Sequence, residues 1–283
     1  MSHAKFLQHF DSTMKTMIRK LISASLLALS LPAHALPRPD HIVVVIEENH
    51  GYEQIMGQKN SYIRELASRG MLFSRSYGVT HPSEPNYLAL FSGSTHNVTD
   101  DSCPQQLSGE NLAATLIDNH LSFATYSEGL PADADDVCSA GAYQRKHNPA
   151  ANWSDLPAGV NLPFSDFPQD FSRLPTVSFV IPNQDNDMHD GSFIAADEWL
   201  KTHINPYLDW AYKHNSLLIL TWDEDDFKGD NRVVTILAGP MVKKGTSGQR
   251  IDHYNVLRTL LDFYGLQAIG NSRDASPIKG IWR

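Results

Sequence analysis

The amino-acid sequence predicts a single α/β domain with a mostly parallel central sheet and helices on both of its faces. Runs of β-branched and apolar residues alternate along the chain with segments of helical periodicity. Several of these runs are apolar at every position, which is typical of parallel strands buried on both faces. The 283 residues, of which 41% are hydrophobic, are enough to bury one large core.

The predicted strands are short, rich in β-branched or aromatic residues, and bounded by turn-forming residues. They cover residues 41–46, 72–77, 121–126, 176–181, 217–222 and 233–237.

The predicted helices carry apolar residues at a spacing of three or four. They cover residues 63–67, 111–119, 195–214 and 253–264, and a further helix begins near Pro85 and ends near Gly93. Residues 131–169, rich in Pro, Ala, Asp and Asn, are predicted to form a long irregular insertion.

The N-terminal segment has the pattern of an export signal. Arg19 and Lys20 precede the apolar run 21–31, and small residues follow that run. We therefore expect residues 1–35 to be a signal peptide and residues 36–283 to be the single domain of a periplasmic or secreted protein. No run reaches the ~20 apolar residues that a bilayer requires, so no transmembrane segment is expected in the mature chain.

The charge and the cysteines narrow the class further. A formal net charge of -9 gives no indication of nucleic-acid binding. The two cysteines, Cys103 and Cys138, are expected to form a disulfide in an oxidising compartment. The alternative is a pair of unpaired buried thiols.

Side chains suited to metal binding or nucleophilic attack follow several predicted strands. In an open parallel sheet, ligands bind beyond the carboxyl ends of the strands, so these side chains are expected to meet at one edge. Each cluster alone is also explained by turn chemistry or helix capping. The side chains are Glu47, Glu48, Asn49, Ser83, Asp185, His189 and the acidic run 223–226.

Ser83 falls at or near the first residue of a predicted helix. A helix N-terminus favours an anionic phosphate, and a hydroxyl placed there can act as a nucleophile. Asn86, one turn later, is expected to direct its amide at the same phosphate oxygens. An ordinary helix cap is the alternative interpretation.

Four segments of the chain resemble the phosphoesterase family of bacterial acid phosphatases and phospholipases C, which belongs to the alkaline phosphatase superfamily. They are EENHGY (47–52), PSEPNY (82–87), DNDMHDG (185–191) and TWDE (221–224). The resemblance extends over essentially the whole chain after residue 35. It implies an alkaline phosphatase-like parallel sheet, a serine or threonine that forms a covalent phospho-enzyme, and divalent metal.

Carried over residue by residue, the resemblance implies that Ser83 is the nucleophile and that Asn86 contacts phosphate. The implied ligands of a first metal are Glu48, Asn49, Ser83, Asp223 and Glu224.

A second metal is implied by Asp185, His189 and His253, although some enzymes of the narrower family work with one ion. His253 has a capping or core role as its alternative. The oxygen-rich first set weakens the case for Zn²⁺ and keeps Ca²⁺, Mg²⁺ and Mn²⁺ open.

Lys146 and His147 resemble a basic segment of the acid phosphatases that would bind the extra charge of a phosphate monoester; a solvated basic loop is the alternative. His50 and His81 flank the expected site as further candidates. The preferred interpretation is a metal-dependent phosphomonoesterase of acid-phosphatase type that acts on a phosphorylated small molecule or lipid. A phosphodiesterase or phospholipase C comes second, and a non-catalytic exported cation-binding protein third.

Overall fold

The computed structural model describes residues 36–132 and 137–283. The expected signal peptide, residues 1–35, lies outside the described residues. Within them, the strands are β1 (Ile42–Glu47), β2 (Met71–Tyr77), β3 (Phe123–Ser127), β4 (Ser139–Ala140), β5 (Tyr143–Gln144), β6 (Asn161–Pro163), β7 (Val177–Ile181), β8 (Leu217–Trp222), β9 (Arg232–Ala238), β10 (Gly245–Ser247) and β11 (Ile251–Asp252).

A nine-stranded central sheet runs through the described residues in the order β10-β2-β9-β8-β1-β7-β3-β6, and β11 also pairs with β2. Strand β9 is antiparallel to β8 and β2, whereas the other pairings in this sheet are parallel. Every residue of β1, β3, β7 and β8 is buried, as the apolar runs predicted for β1, β7 and β8. Because β1, β2, β3, β7 and β8 all run in the same direction, they end at the same edge of the sheet.

The helices cover both faces of this sheet, which confirms the predicted α/β class. They are α1 (Tyr52–Gly57), α2 (Tyr62–Arg69), α3 (Ser83–Ser92), α4 (Leu112–Asp118), α5 (Phe193–His203), α6 (Asn205–Ala211) and α7 (His253–Phe263). Helices α3, α4 and α7 pack on one face, against Ile42, Val44 and Ile46 of β1. Helices α1, α2, α5 and α6 pack on the other face, where Val43 and Val45 point.

Two regions differ from the sequence prediction. The helix expected over residues 195–214 is divided into α5 and α6 near Ile204, because Pro206 occupies the first turn of α6 and cannot donate a backbone hydrogen bond. The segment 131–169 is less irregular than expected, since its described part contains β4, β5, β6 and short 3₁₀ turns. The predicted disulfide between Cys103 and Cys138 is present.

None of the helices in residues 36–132 and 137–283 combines the length and apolar character that crossing a membrane requires.

Candidate active site

Ser83 is the first residue of α3, at the edge of the sheet where the parallel strands end. The helix begins after Pro82, which provides no side-chain cap, and it ends at Gly93, whose φ of 74° is the left-handed conformation that glycine tolerates. The Ser83 hydroxyl does not cap the helix. It donates to Glu48 Oε2 at 2.9 Å, and Glu224 Oε1 lies 3.4 Å away. Only 2% of Ser83 is exposed, so its hydroxyl faces a buried group of carboxylates.

Glu48 directly follows β1 and is fully buried. Its Oε1 accepts a hydrogen bond of 2.5 Å from the Tyr87 hydroxyl, while its Oε2 accepts from Ser83. Tyr87 lies four residues after Ser83 and therefore on the same face of α3. Burial raises the pKa of Glu48 well above its ordinary value, and the nearby carboxylate of Asp223 raises it further.

Asp223 and Glu224 follow β8, the strand next to β1. Asp223 Oδ1 accepts from the backbone N–H of Asn49 at 3.2 Å. Burial raises the pKa of Asp223 to about 7. Burial, reinforced by Asp223, raises the pKa of Glu224 to about 9. Several carboxyl groups are thus confined where negative charge is poorly tolerated.

Two oxygens of this group have no hydrogen-bond partner among the described residues. They are Asn49 Oδ1 and Asp223 Oδ2, and both are buried. An unpaired buried oxygen is costly unless a cation or a donor compensates it. Carbonyl and carboxylate oxygens are the ligands that hard divalent cations prefer. The local chemistry therefore fits a metal at this position.

The Asn86 side chain is bonded to the loop that precedes Ser83. Its Oδ1 accepts from the backbone N–H groups of Val79 and Thr80, and its Nδ2 donates to the Thr80 carbonyl at 2.8 Å. A longer contact of 3.2 Å joins Nδ2 to Glu224 Oε2. Asn86 thus fixes the loop around the nucleophile, and its contact with phosphate stays a prediction.

His147 approaches Glu48 from the opposite side. It lies between Glu48 and Asp187, with Nε2 at 3.3 Å from Glu48 Oε1 and Nδ1 at 3.4 Å from Asp187 Oδ2. Neither contact has the alignment of a hydrogen bond, so His147 Nε2 and Asp187 Oδ2 have no hydrogen-bond partner among the described residues. Burial, followed by the charge of Lys146, lowers the pKa of His147 well below its ordinary value. The imidazole is therefore neutral and available as a ligand or hydrogen-bond partner.

Lys146 is directed into the site, unlike a residue of a solvated loop. Its side chain is 15% exposed, and Nζ donates to Asp101 Oδ2 at 2.8 Å. Nζ also lies 3.4 Å from His189 Nε2. Burial opposes its charge, but the hydrogen bond and charge of Asp101 outweigh burial and raise the pKa of Lys146. A permanent positive charge thus faces the carboxylates.

The residues predicted to hold a second metal are not brought together. His189 instead joins Glu48 and His147, with one ligand atom from each lying within 4.8 Å of the others. Asp185 is exposed, because the turn after β7 buries Asp187 in its place. His253 is buried below the carboxylates, and its Nε2 donates to the Asp223 carbonyl at 2.6 Å. The alternative core role for His253 therefore fits its contacts.

Sequence reasoning missed three contributors to the site. Asp187 lies within a motif that was identified, but no feature of that motif distinguishes it from Asp185 before the turn is known. Tyr87 had a signal, namely its position one helical turn after Ser83. Asp101 had no such signal, since the lysine that it contacts, Lys146, lies 45 residues later in the chain.

The two flanking histidines also contact this group. His81 Nδ1 lies 2.9 Å from Glu224 Oε2, and its Nε2 lies 3.3 Å from Asp225 Oδ1. His50 Nδ1 lies 3.1 Å from the backbone carbonyl of Glu48. His81 therefore contacts the carboxylates themselves, whereas His50 contacts only the backbone of Glu48.

Comparison with known proteins relates the sequence to phosphate-ester chemistry. The family model described as "Phosphoesterase family" matches residues 58–267. A phosphatidylinositol-3-phosphatase of Mycobacterium tuberculosis is 46% identical over 93% of this chain and 92% of its own length. An acid phosphatase of Aspergillus fumigatus is 30% identical over 79% of this chain, which spans 54% of that longer protein.

The fold comparison agrees with the sheet described above. An alkaline phosphatase superfamily protein from Vibrio parahaemolyticus aligns with a TM-score of 0.57 at 11% identity, over 86% of this chain and 71% of its own. A phosphonate monoester hydrolase from Silicibacter pomeroyi aligns with a TM-score of 0.54 at 12% identity, over 86% and 76% of the two chains. At this level of identity the likeness concerns the fold alone.

Proposed function

The chain belongs to the phosphoesterase family and is a phosphoric ester hydrolase, and we propose that it hydrolyses phosphate monoesters in a metal-dependent reaction through a covalent phospho-serine at Ser83. The observation that carries the proposal is the Ser83 hydroxyl, buried at the first residue of α3 and within 3.4 Å of two carboxylates. A hydroxyl in that setting has no capping role to explain it.

The proposed metal ligands are the oxygens of Glu48, Asn49, Ser83, Asp223 and Glu224. The unpaired buried oxygens of Asn49 and Asp223 support this set, as do the raised pKa values of the carboxyl groups. An all-oxygen set favours Ca²⁺, Mg²⁺ or Mn²⁺. The group Glu48, His147 and His189 contains two imidazoles and suits Zn²⁺ as a second ion. Either one or two ions are compatible with these donors.

In the proposed reaction, Ser83 Oγ attacks phosphorus in line with the leaving oxygen. A bound divalent ion supplies Lewis-acid charge that lowers the pKa of the attacking hydroxyl. Glu48 Oε2, at 2.9 Å, orients the hydroxyl and takes its proton. The positive end of the α3 dipole favours the phosphoryl charge. Water then hydrolyses the phospho-serine and restores the hydroxyl.

The basic side of the site supports the preference for monoesters. A monoester dianion carries one more negative charge than a diester, and Lys146 places a partly buried positive charge opposite the carboxylates. His189, whose side chain is 24% exposed, lies beside Lys146, and solvent water there gives a proton to the leaving alcohol oxygen.

The proposed substrates are phosphorylated small molecules or lipids. The relatives named as a phosphatidylinositol-3-phosphatase and an acid phosphatase support this substrate class. Export to the periplasm or medium is part of the same proposal. It is supported by the N-terminal sequence pattern and by the Cys103–Cys138 disulfide, which persists in oxidising compartments.

The direct test is the Ser83→Ala variant, assayed with p-nitrophenyl phosphate and bis-p-nitrophenyl phosphate, with and without a chelator. We expect Ser83→Ala to remove turnover of the monoester, and the chelator to remove turnover by the wild type. Ser68→Ala, on the exposed side of α2, is the matched control and should match the wild type.

Undiminished turnover in Ser83→Ala would exclude the covalent mechanism. A wild-type preference for the diester would instead indicate a phosphodiesterase or phospholipase C. Wild type without turnover of either ester would indicate a cation-binding protein.

A further inference from the structure

Phe227 is an exposed aromatic side chain beside the carboxylates. It lies in the loop between β8 and β9, and 64% of it is exposed. Its ring stacks on His81, with 4.1 Å between centroids and 27° between the planes. His81 Nδ1 lies 2.9 Å from Glu224 Oε2, and Glu224 Oε1 lies 3.4 Å from Ser83 Oγ. Two residues therefore connect the Phe227 ring to the nucleophile.

The loop that carries Phe227 is held by hydrogen bonds to its backbone. Asp225 Oδ1 accepts from the Phe227 N–H, and Asp225 Oδ2 accepts from the Asn231 N–H, both at 2.9 Å. The Asn231 side chain donates to the Thr80 carbonyl, and its backbone carbonyl accepts from Gly78. The loop is thus tied to the segment that leads into Ser83.

The backbone of Phe227 is unusual for a bulky residue. Its φ of 62° lies in the left-handed region, which large side chains adopt at a cost in free energy. A strained and exposed aromatic side chain contributes little to the stability of the fold, because the hydrogen bonds of this loop use the backbone of Phe227 and not its ring. These costs are explained if the ring has a partner that binds at the mouth of the site.

We propose that Phe227 binds the alcohol part of the substrate and selects esters whose alcohol carries an aromatic or apolar group next to the ester oxygen. This inference rests on the proposed phosphomonoesterase function. One face of the ring stacks on His81, and the other face can stack on a flat or apolar group. Beside the ring, Glu224 and Asp225 contact His81 and disfavour an alcohol that carries further negative charge. Phe227 is therefore a specificity residue, outside the reacting atoms.

The competing explanation is that Phe227 only shields and positions His81. That role would affect every substrate equally, because His81 contacts Glu224 whatever the alcohol is. Two substrates with similar leaving groups and different alcohol surfaces separate the explanations. Benzyl phosphate and glycerol 3-phosphate are both esters of primary alcohols, and only the former offers a ring to Phe227.

The experiment measures kcat/KM of the metal-loaded protein for both esters in the wild type, Phe227→Ala and Phe227→Tyr. We expect Phe227→Ala to lower kcat/KM for benzyl phosphate by about three- to tenfold, the range that aromatic contacts provide. Its kcat/KM for glycerol 3-phosphate should stay within about twofold of the wild type, since no aromatic contact is lost there. Phe227→Tyr should retain the wild-type ratio.

Ile194→Ala is the matched control, because Ile194 is also strongly exposed, at 77%, but lies on α5. It should leave the ratio of the two esters unchanged. An equal loss for both esters in Phe227→Ala, or no loss for either, would overturn the inference while the proposed hydrolase function stands. Wild type that hydrolyses neither ester would overturn the proposed function itself.

Discussion

The two sides of the site are held in place by different means. The carboxylate half, which comprises Glu48, Asn49, Asp223 and Glu224, follows the adjacent central strands β1 and β8. The basic half, which comprises Lys146, His147 and His189, comes from a 3₁₀ turn at Arg145–His147 and from the loop after β7. The first half is supplied by the sheet and the second by loops.

Strand register positions the carboxylate half. Glu47 lies opposite Trp222 in the parallel ladder, and the Asp223 N–H donates to the Glu47 carbonyl at 3.0 Å. Glu48 and Asp223 therefore emerge together at the carboxyl edge. Since main-chain hydrogen bonds fix this geometry, single side-chain changes in the carboxylate half should alter its chemistry more than its shape.

Side chains position the basic half. Asp101 accepts from Lys146 through Oδ2 and from the backbone N–H of Glu84 through Oδ1, which joins the basic turn to the start of α3. The Cys103–Cys138 disulfide closes the same pair of loops. The basic half should therefore be more sensitive than the carboxylate half to changes distant from the phosphate.

The largest effect is expected from Asp223→Asn, which removes a charge from the carboxylate half. We expect kcat/KM for p-nitrophenyl phosphate to fall by at least about a hundredfold, because loss of a metal ligand weakens both metal binding and stabilisation of the transition state. Steady-state kinetics across a titration of divalent metal checks this. Asp185→Asn, at the exposed member of the predicted second ligand set, is the control and should retain wild-type activity. Similar losses in both variants would contradict the assignment of Asp223, and not Asp185, as a metal ligand.

A smaller and selective effect is expected from Lys146→Met in the basic half. The variant loses the partly buried charge opposite the carboxylates, so kcat/KM for a monoester should fall roughly ten- to a hundredfold, the range for loss of one hydrogen bond to a charged group. The value for bis-p-nitrophenyl phosphate should change only a few-fold, since a diester lacks the extra charge. Lys228→Met, whose lysine is 82% exposed, is the matched control. An equal loss on both substrates would show that Lys146 does not determine the preference for monoesters over diesters.

The disulfide should affect stability more than catalysis. Cys103→Ser combined with Cys138→Ser opens a loop with a sequence separation of 35 residues. We expect the free energy of unfolding to fall by about 2–4 kcal/mol. Activity below the unfolding transition should fall only a few-fold, through a looser Lys146. Denaturant unfolding and kinetics on the same sample check both effects. A loss of metal affinity equal to that of Asp223→Asn would show that the disulfide also holds the carboxylate half, and would contradict this prediction.

The last effect concerns folding alone, namely the stability of the metal-free protein. Burial raises the pKa of Asp223 to about 7 from an ordinary value of 3.8, so the folded state binds more protons than the unfolded state between these values. The metal-free wild type should therefore lose stability relative to Asp223→Asn as the pH rises from about 4 to about 7. Added divalent metal should reverse the loss. Thermal unfolding in chelator and in metal measures it, and a relative gain in stability with rising pH would contradict the assignment.

Much of the sheet and the carboxylate half was predictable from sequence. Continuous apolar runs identified β1 and β8, and the position of polar residues after them identified Glu48, Asn49, Asp223 and Glu224. These inferences depend on where each strand ends and on parallel strand direction, which apolar runs and their alternation with helices indicate locally.

The remaining features depend on tertiary contacts. The exchange of Asp185 for Asp187 follows from a turn in which Met188 adopts a φ of 79°. The pairing of His189 with His147 requires two distant loops to meet at Glu48. No pattern along the chain encodes either feature, because neither has a period or a fixed spacing.

The most direct test of the central claim is to locate the phosphoryl group in an acid-quenched reaction. Metal-loaded protein is mixed with saturating p-nitrophenyl phosphate, quenched within the first turnover, digested and analysed by mass spectrometry. We expect one phosphoryl group on the peptide that contains Ser83, and none on that peptide in Ser83→Ala. A phosphoryl group on another residue such as His147, or turnover at saturation with Ser83 unmodified throughout, would contradict a covalent phospho-serine.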